Sequence, residues 1–171
     1  VAPLAGFVQF GGRLLFSTSD PAFPAALWVT DGTVAGTRRL GEASALVSAW
    51  PVSRLGSQGS LLAADGFYFL GYTGPPGSDI DLWFTDGTEG GTRRYARLPQ
   101  PFINSDLVQF QGRIYFAGGP GGPHGSELWS TDGTPAGTVE LADLHAGPEG
   151  SFPGGFLVAA TRLHFGADGQ R

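Results

Sequence analysis

"LWVTDGTVAGT" at residues 27–37, "LWFTDGTEGGT" at 82–92 and "LWSTDGTPAGT" at 128–138 are one phrase written three times in 171 residues. Such repetition is the signature of an architecture built from one supersecondary unit per copy. Trp28, Trp83 and Trp129 lie 55 and 46 residues apart, room for several short strands in each copy. A second phrase keeps step with the first: GRLLF ending at Phe16, GFYF at Phe69, GRIYF at Phe116 and TRLHF at Phe165. These phenylalanines are separated by 53, 47 and 49 residues, and no fourth tryptophan phrase follows Phe165.

Composition narrows what the units are. The chain has 29 glycines and 13 prolines yet is 41% hydrophobic, which suits a turn-rich all-β protein and not a disordered one. Its length allows an ordinary buried core. Net charge is −5, with ten basic residues, all Arg, and no acidic or basic run; nothing here attracts nucleic acid electrostatically. Cysteine is absent, so neither a disulfide framework nor a thiolate metal site is available. No apolar run reaches membrane-spanning length, so no membrane insertion is expected, and no residue pattern calls for a cofactor.

Each unit holds four short apolar segments broken by Gly, Asp or Pro. In the third they are DLVQF, RIYFAG, ELWST and GTVELADL. Gln111-Gly112 and Asp132-Gly133 between apolar runs are tight-hairpin signals, since Gly accepts the positive φ that such turns need. Two hairpins per unit make four antiparallel strands, A to D. Ile114 and Phe116 point to one face and Tyr115 to the other, so the sheet must be covered on both sides. Four-stranded sheets of about 45–55 residues stacked face to face are the blades of a β-propeller. A parallel β-helix would need shorter, more uniform rungs, and a sandwich would not need the same phrase at blade spacing. The expected boundaries are blade 1 at about 5–41, an insertion at about 42–58, blade 2 at about 59–98, blade 3 at about 104–144 and a half blade at about 155–171. Three and a half blades do not close a ring of roughly four to eight. The expectation is therefore part of a larger propeller, whose partner is the remainder of that propeller or further copies of the chain.

The phrase from Glu127 to Thr138, with the LADLHAGPEGSFPGGF that follows the third copy, resembles the ELWxxDGT repeat. Ala26 and Asp81 depart from it at the first position. Such repeats occur in large secreted or cell-surface bacterial proteins and are thought to form β-propellers. The resemblance implies a non-catalytic interaction or scaffold module of such a protein, with a surface glycan or another protein as partner. A lectin-like sugar binder is the alternative, and a fragment of a propeller hydrolase or lyase the third.

The repeated T-D-G-T-x-x-G-T reads first as a turn, because a turn is needed in every blade and a catalytic site only once. Asp31, Asp86 and Asp132 are expected to accept backbone N–H bonds. Gly32, Gly87 and Gly133 take the left-handed φ, and Thr33, Thr88 and Thr134 bond locally. Calcium takes roughly 6–8 oxygens, more than one Asp and two Thr hydroxyls supply, so no metal is expected. The repeat tryptophans are expected to pack between blades with each indole N–H on a carbonyl; sugar stacking is the functional alternative. His164 stands where Tyr68 and Tyr115 stand and is expected in the core. No Ser or Asp accompanies any histidine at catalytic spacing, and no acid–base cluster or phosphate-binding motif occurs.

In an up-and-down blade the A–B and C–D turns share one edge, while the B–C loops share the other with the connections between blades. The second set varies in length and content: STSDPAFPAA, GYTGPPGSDI, GGPGGPHGS and the insertion with Trp50. Variable loops on a regular scaffold are where binding resides. The candidate binding residues are Trp50, Tyr72, Asp79 and His124.

Overall fold

The computed structural model describes residues 5–20, 23–40, 59–72, 80–98, 106–119 and 122–169. They contain fourteen strands and no helix. The first sheet comprises β1 (Ala5–Phe10), β2 (Arg13–Asp20), β3 (Phe23–Thr30) and β4 (Arg38–Leu40). The second comprises β5 (Ser60–Leu62), β6 (Phe67–Tyr72), β7 (Ile80–Thr85) and β8 (Arg93–Arg97). The third comprises β9 (Val108–Phe110), β10 (Arg113–Gly118), β11 (Glu127–Thr131) and β12 (Val139–Ala142), and β13 (Gly154–Ala159) pairs with β14 (Arg162–Gly166). Each four-stranded sheet is a meander with its strands in chain order. The chain is thus all-β, made of repeated antiparallel sheets.

Register explains why two phrases recur. Phe16 pairs with Trp28, Phe69 with Trp83 and Phe116 with Trp129 across the central strands of successive sheets. Phenylalanine and tryptophan are therefore cross-strand neighbours on one face, a pairing that stabilises a sheet by about 0.2–1 kcal/mol. The A–B turns match this register. Gly11 and Gly12 have φ of 55° and 73°, and Gln111 and Gly112 have 49° and 75°. Two successive positive φ values give the turn twist that fits a two-residue hairpin.

The chain divides into two compact units, Val1–Tyr95 and Ala96–Arg171. In the first, Val8, Leu15, Leu27, Val29 and Leu40 from the aliphatic face of the first sheet form one core with Phe67, Phe69 and Trp83 of the second. The Phe/Trp face of one sheet is thereby covered by the aliphatic face of the sheet before it. Two contacts fix the alignment: Phe10 lies against Gly87, where an added Cβ would come within 3.2 Å of its ring, and Arg38 Nη2 donates to the Gly87 carbonyl at 3.4 Å.

In the second unit β13 lies against β9, and the segment after β12 is tied back to the start of β11. Ser151 N and Phe152 N both donate to the Ser126 carbonyl at 3.0 Å. Gly125 and Gly150 meet there with φ of 68° and 72°; a Cβ on either would strike the other's backbone neighbourhood.

His164 is a correction. It is exposed on β14, whereas Tyr68 at the matching position of β6 is 2% exposed. Tyr68 packs against Phe84 and Tyr95 on its own sheet, with ring centroids 4.9 and 5.1 Å away, whereas Leu157, the cross-strand partner of His164, is itself 61% exposed.

Candidate functional site

The three T-D-G-T-x-x-G-T turns close in the same way, atom for atom. Asp31 Oδ1 accepts Thr33 N at 2.9 Å and Thr33 Oγ1 at 2.7 Å. Asp86 does the same for Thr88 at 2.8 and 2.7 Å, and Asp132 for Thr134 at 2.9 and 2.7 Å. The same hydroxyl takes up the amide of the phrase's last glycine: Gly36 N, Gly91 N and Gly137 N donate to Thr33, Thr88 and Thr134 Oγ1. At the base, Thr30, Thr85 and Thr131 Oγ1 accept Gly32 N, Gly87 N and Gly133 N, each at 3.0 Å.

The hydroxyl protons can be followed through the turn. Thr37, Thr92 and Thr138 donate to the carbonyls of Thr33, Thr88 and Thr134. In the 2.7 Å hydroxyl pairs Thr30–Thr37, Thr85–Thr92 and Thr131–Thr138 the first partner therefore donates. Every threonine in the phrase donates once and accepts at least once. Each hydroxyl of the phrase is thus used within the turn, which closes it as a clasp.

Both glycines are required, for different reasons. Gly32, Gly87 and Gly133 have φ of 91°, 83° and 91°, a region that strains any residue with a Cβ. Gly87→Val is expected to cost on the order of 1–3 kcal/mol, read from urea unfolding; unchanged stability would contradict the turn assignment. Gly36, Gly91 and Gly137 are needed for space instead, since a Cβ on each would collide with the carboxylate of Asp31, Asp86 and Asp132.

The hydrogen bonds from Thr33, Thr88 and Thr134, first the hydroxyl and then the backbone amide, hold the three aspartates below their ordinary pKa of 3.8. A carboxyl whose pKa is lowered on folding stabilises the fold above the unfolded value and loses that stabilisation as pH falls through the folded one. The melting temperature should therefore hold from neutral pH to just above 3.8 and decline below it. A variant with all three aspartates changed to Asn should show a shallower decline in calorimetry; an identical slope would contradict the assignment.

The first letter of the phrase, noted in the sequence only for its departures, carries the largest single role. Glu127 is fully buried at the start of β11. Its Oε2 accepts Leu144 N at 3.0 Å and Ser151 Oγ at 2.6 Å, and its Oε1 accepts Ser151 N at 2.9 Å. It fastens the connection from β12 to β13 onto β11. Asp81, also fully buried, stands at that position in the second sheet, with Arg94 at 3.3 Å from its Oδ2. Ala26 stands there in the first.

The tryptophans differ from expectation in their polar atoms. Trp28 Nε1 donates to the Thr18 hydroxyl at 3.2 Å, not to a carbonyl, and Trp83 Nε1 and Trp129 Nε1 are buried without a hydrogen-bond partner. Thr18 lies two residues after Phe16; the matching residues after Phe69 and Phe116 are Gly71 and Gly118, which have no side chain to offer. Trp83 is 4% exposed and cannot stack on a sugar.

Of the candidate binding residues, Trp50 and Asp79 lie outside the described residues. Tyr72 ends β6 and pairs with Ile80 in the first unit. His124, in the second unit, is 47% exposed, with Nδ1 at 2.9 Å from Glu140 Oε1 and Nε2 at 4.0 Å from Asp143 Oδ2. It bridges the segment before β11 to β12. Among the described residues no group of three or more His, Asp or Glu is arranged to hold a metal ion, and no helix is long and apolar enough to cross a membrane.

The chain matches no protein-family model, no curated protein and no solved structure.

Proposed function

We propose that the chain supplies consecutive blades of a β-propeller of the ELWxxDGT-repeat type, acting as a non-catalytic interaction scaffold of a secreted or cell-surface bacterial protein. The observation that carries this reading is the core of the first unit, where the aliphatic face of one meander sheet seats the Phe/Trp face of the next. Repeating that step is how blades follow one another around a propeller. The clasped turns spend their polar groups on themselves, which leaves recognition to the segments between second and third strands.

The burial of Trp83 disfavours one sugar-stacking tryptophan per repeat, and a hydrolase or lyase would need an acid–base cluster that the clasps do not contain. The test is an exchange. Replacing residues 73–79 with a Gly/Ser run of equal length should leave the chain folded with the β6–β7 pairing intact. Replacing Thr85-Asp86-Gly87-Thr88 with Gly/Ser should unfold the second sheet. A chain that loses its fold on the first exchange would contradict a scaffold that displays variable segments.

A further inference from the structure

Each clasp holds a reactive pair in check. Asp-Gly steps occur at Asp31, Asp65, Asp86, Asp132 and Asp168. A glycine amide is the least hindered main-chain nucleophile for the carboxyl of the residue before it. The nitrogen attacks the carboxyl carbon and loses its proton, a C–N bond forms, a carboxyl oxygen leaves as water, and a cyclic succinimide results. Water then reopens the ring at either carbonyl, restoring aspartate or giving isoaspartate. One water is lost and one regained, so no other reactant is needed. The attack requires the carboxyl to reach back to the next amide nitrogen and to hold a proton, so that its oxygen can leave as water. The clasp opposes both. In the second turn Gly87 N donates to Thr85 Oγ1 at 3.0 Å. The Asp86 carboxylate is turned forward over Gly91, and its Oδ1 accepts Thr88 N at 2.8 Å and Thr88 Oγ1 at 2.7 Å. The same two hydrogen bonds hold the carboxyl below its ordinary pKa of 3.8, which keeps it ionised at neutral pH. The first and third turns repeat these bonds at Asp31 and Asp132. Asp65 and Asp168 lack both threonines: Ala64 and Phe67 stand in their places at one step, Ala167 and Gln170 at the other.

We propose that the clasps are latent modification sites, in which Asp31, Asp86 and Asp132 convert to isoaspartate only when their threonines let go. The rate at each step is then set by the opening of its own turn. Such local opening occurs well below the free energy of global unfolding, and Asp31, Asp86 and Asp132 lie at exposed turns where solvent reaches the opened step. The conversion is one-way for the fold. Isoaspartate carries the main chain through the side-chain carbon and lengthens the turn by a methylene, and the carboxylate left over springs from the α-carbon. It no longer reaches the amide and hydroxyl that Asp86 Oδ1 accepts from Thr88, so an altered clasp does not close again. The threonines thus have a second role besides shaping the turn: they protect the Asp-Gly step that the turn requires. The proposal needs only the hydrogen bonds within one turn and draws nothing from the propeller reading.

The test is incubation of the full chain at neutral pH in heavy-oxygen water, with each Asp-Gly step followed by peptide mass spectrometry. Every succinimide that hydrolyses takes up one labelled oxygen. In guanidinium chloride the steps at Asp31, Asp86 and Asp132 should react at similar rates, and in the folded chain all three should be slower by about tenfold or more, the effect of at least one hydrogen bond to a charged group. Thr88→Val keeps the size of the side chain but removes the hydroxyl bonds to Asp86 and from Gly91 N. It should speed the step at Asp86 by about tenfold and leave Asp31 and Asp132 at their wild-type rates. Thr134→Val should speed Asp132 alone, and Thr88→Ser, which keeps the hydroxyl, should match the wild type. A folded chain whose clasped steps react as fast as in denaturant would overturn the proposal. So would an unchanged rate at Asp86 in Thr88→Val, or a Thr88→Ser variant as fast as Thr88→Val. A valine variant that speeds all three steps alike would also overturn it, because protection would then belong to the whole fold and not to the single clasp.

Discussion

Glu127→Ala is expected to destabilise the second unit by about 3–5 kcal/mol, the largest effect of any single substitution considered. The carboxylate is fully buried and receives two backbone amides and one hydroxyl, from Leu144 and Ser151. Truncation leaves those donors with less than they have, and a stranded buried donor costs about 1–3 kcal/mol. Ser151 N keeps the Ser126 carbonyl at 3.0 Å, so the total stays below the sum of three such losses. Glu127→Gln preserves shape but turns one acceptor oxygen into a donor that faces other donors; about 1–3 kcal/mol is expected. Urea unfolding followed by hydrogen exchange at Leu144 and Ser151 is the measurement. Exchange at those two amides should accelerate more than at β10. An Ala variant as stable as the parent would mean that the connection to β13 is held by other contacts.

Gly91→Ala carries the second large effect, and its sign is informative. Gly91 lies outside the positive-φ region, where replacing Gly by Ala ordinarily stabilises by about 0.4–1 kcal/mol through the unfolded chain. Here the added methyl would meet the Asp86 carboxylate, which must swing away and release Thr88 N and Thr88 Oγ1. Losing two hydrogen bonds to a charged acceptor, about 1.5–3 kcal/mol each at most, outweighs that gain. A net cost of about 2–3 kcal/mol is expected. In an Asp86→Ala background the obstacle is gone, and the same Gly91→Ala change should be neutral or slightly stabilising. That non-additivity is what a double-mutant cycle detects for residues in contact. Additive effects would show that aspartate and second glycine act independently and that the clasp is misread.

Much of the sheet structure was legible because its determinants are local. The Phe and Trp phrases mark the two central strands, and their positions in the units make them cross-strand partners. The Gln111-Gly112 step announces its two-residue turn by the φ it demands, whereas Asp132-Gly133, read as the same tight-hairpin signal, opens a longer connection over residues 132–138 in which only Gly133 has positive φ. What escaped the sequence is long-range or steric. The partners of Glu127 lie 17 and 24 residues further on, a distance over which spacing says nothing. The second glycine of the clasp has no conformational signature; only the carboxylate folded over it explains it. The indole partners depended on whether Thr18 or a glycine stood two residues beyond the phenylalanine. His164 looked like Tyr68 by position, yet burial depends on what lies above the sheet, which position does not encode.

Sheet stacking is the physical step on which the propeller reading depends, and one contact reports it. A nuclear Overhauser cross-peak between the Phe10 ring and the Gly87 Hα joins the corner of the first sheet to the clasp of the second, residues whose approach is set by the packing of Leu15, Leu27 and Val29 on Phe69 and Trp83. The cross-peak should be present in the wild-type chain and vanish in Phe10→Leu without loss of the β6–β7 pairing. Its absence from a folded wild-type chain, with Phe10 instead showing contacts only to its own sheet, would contradict the stacked arrangement.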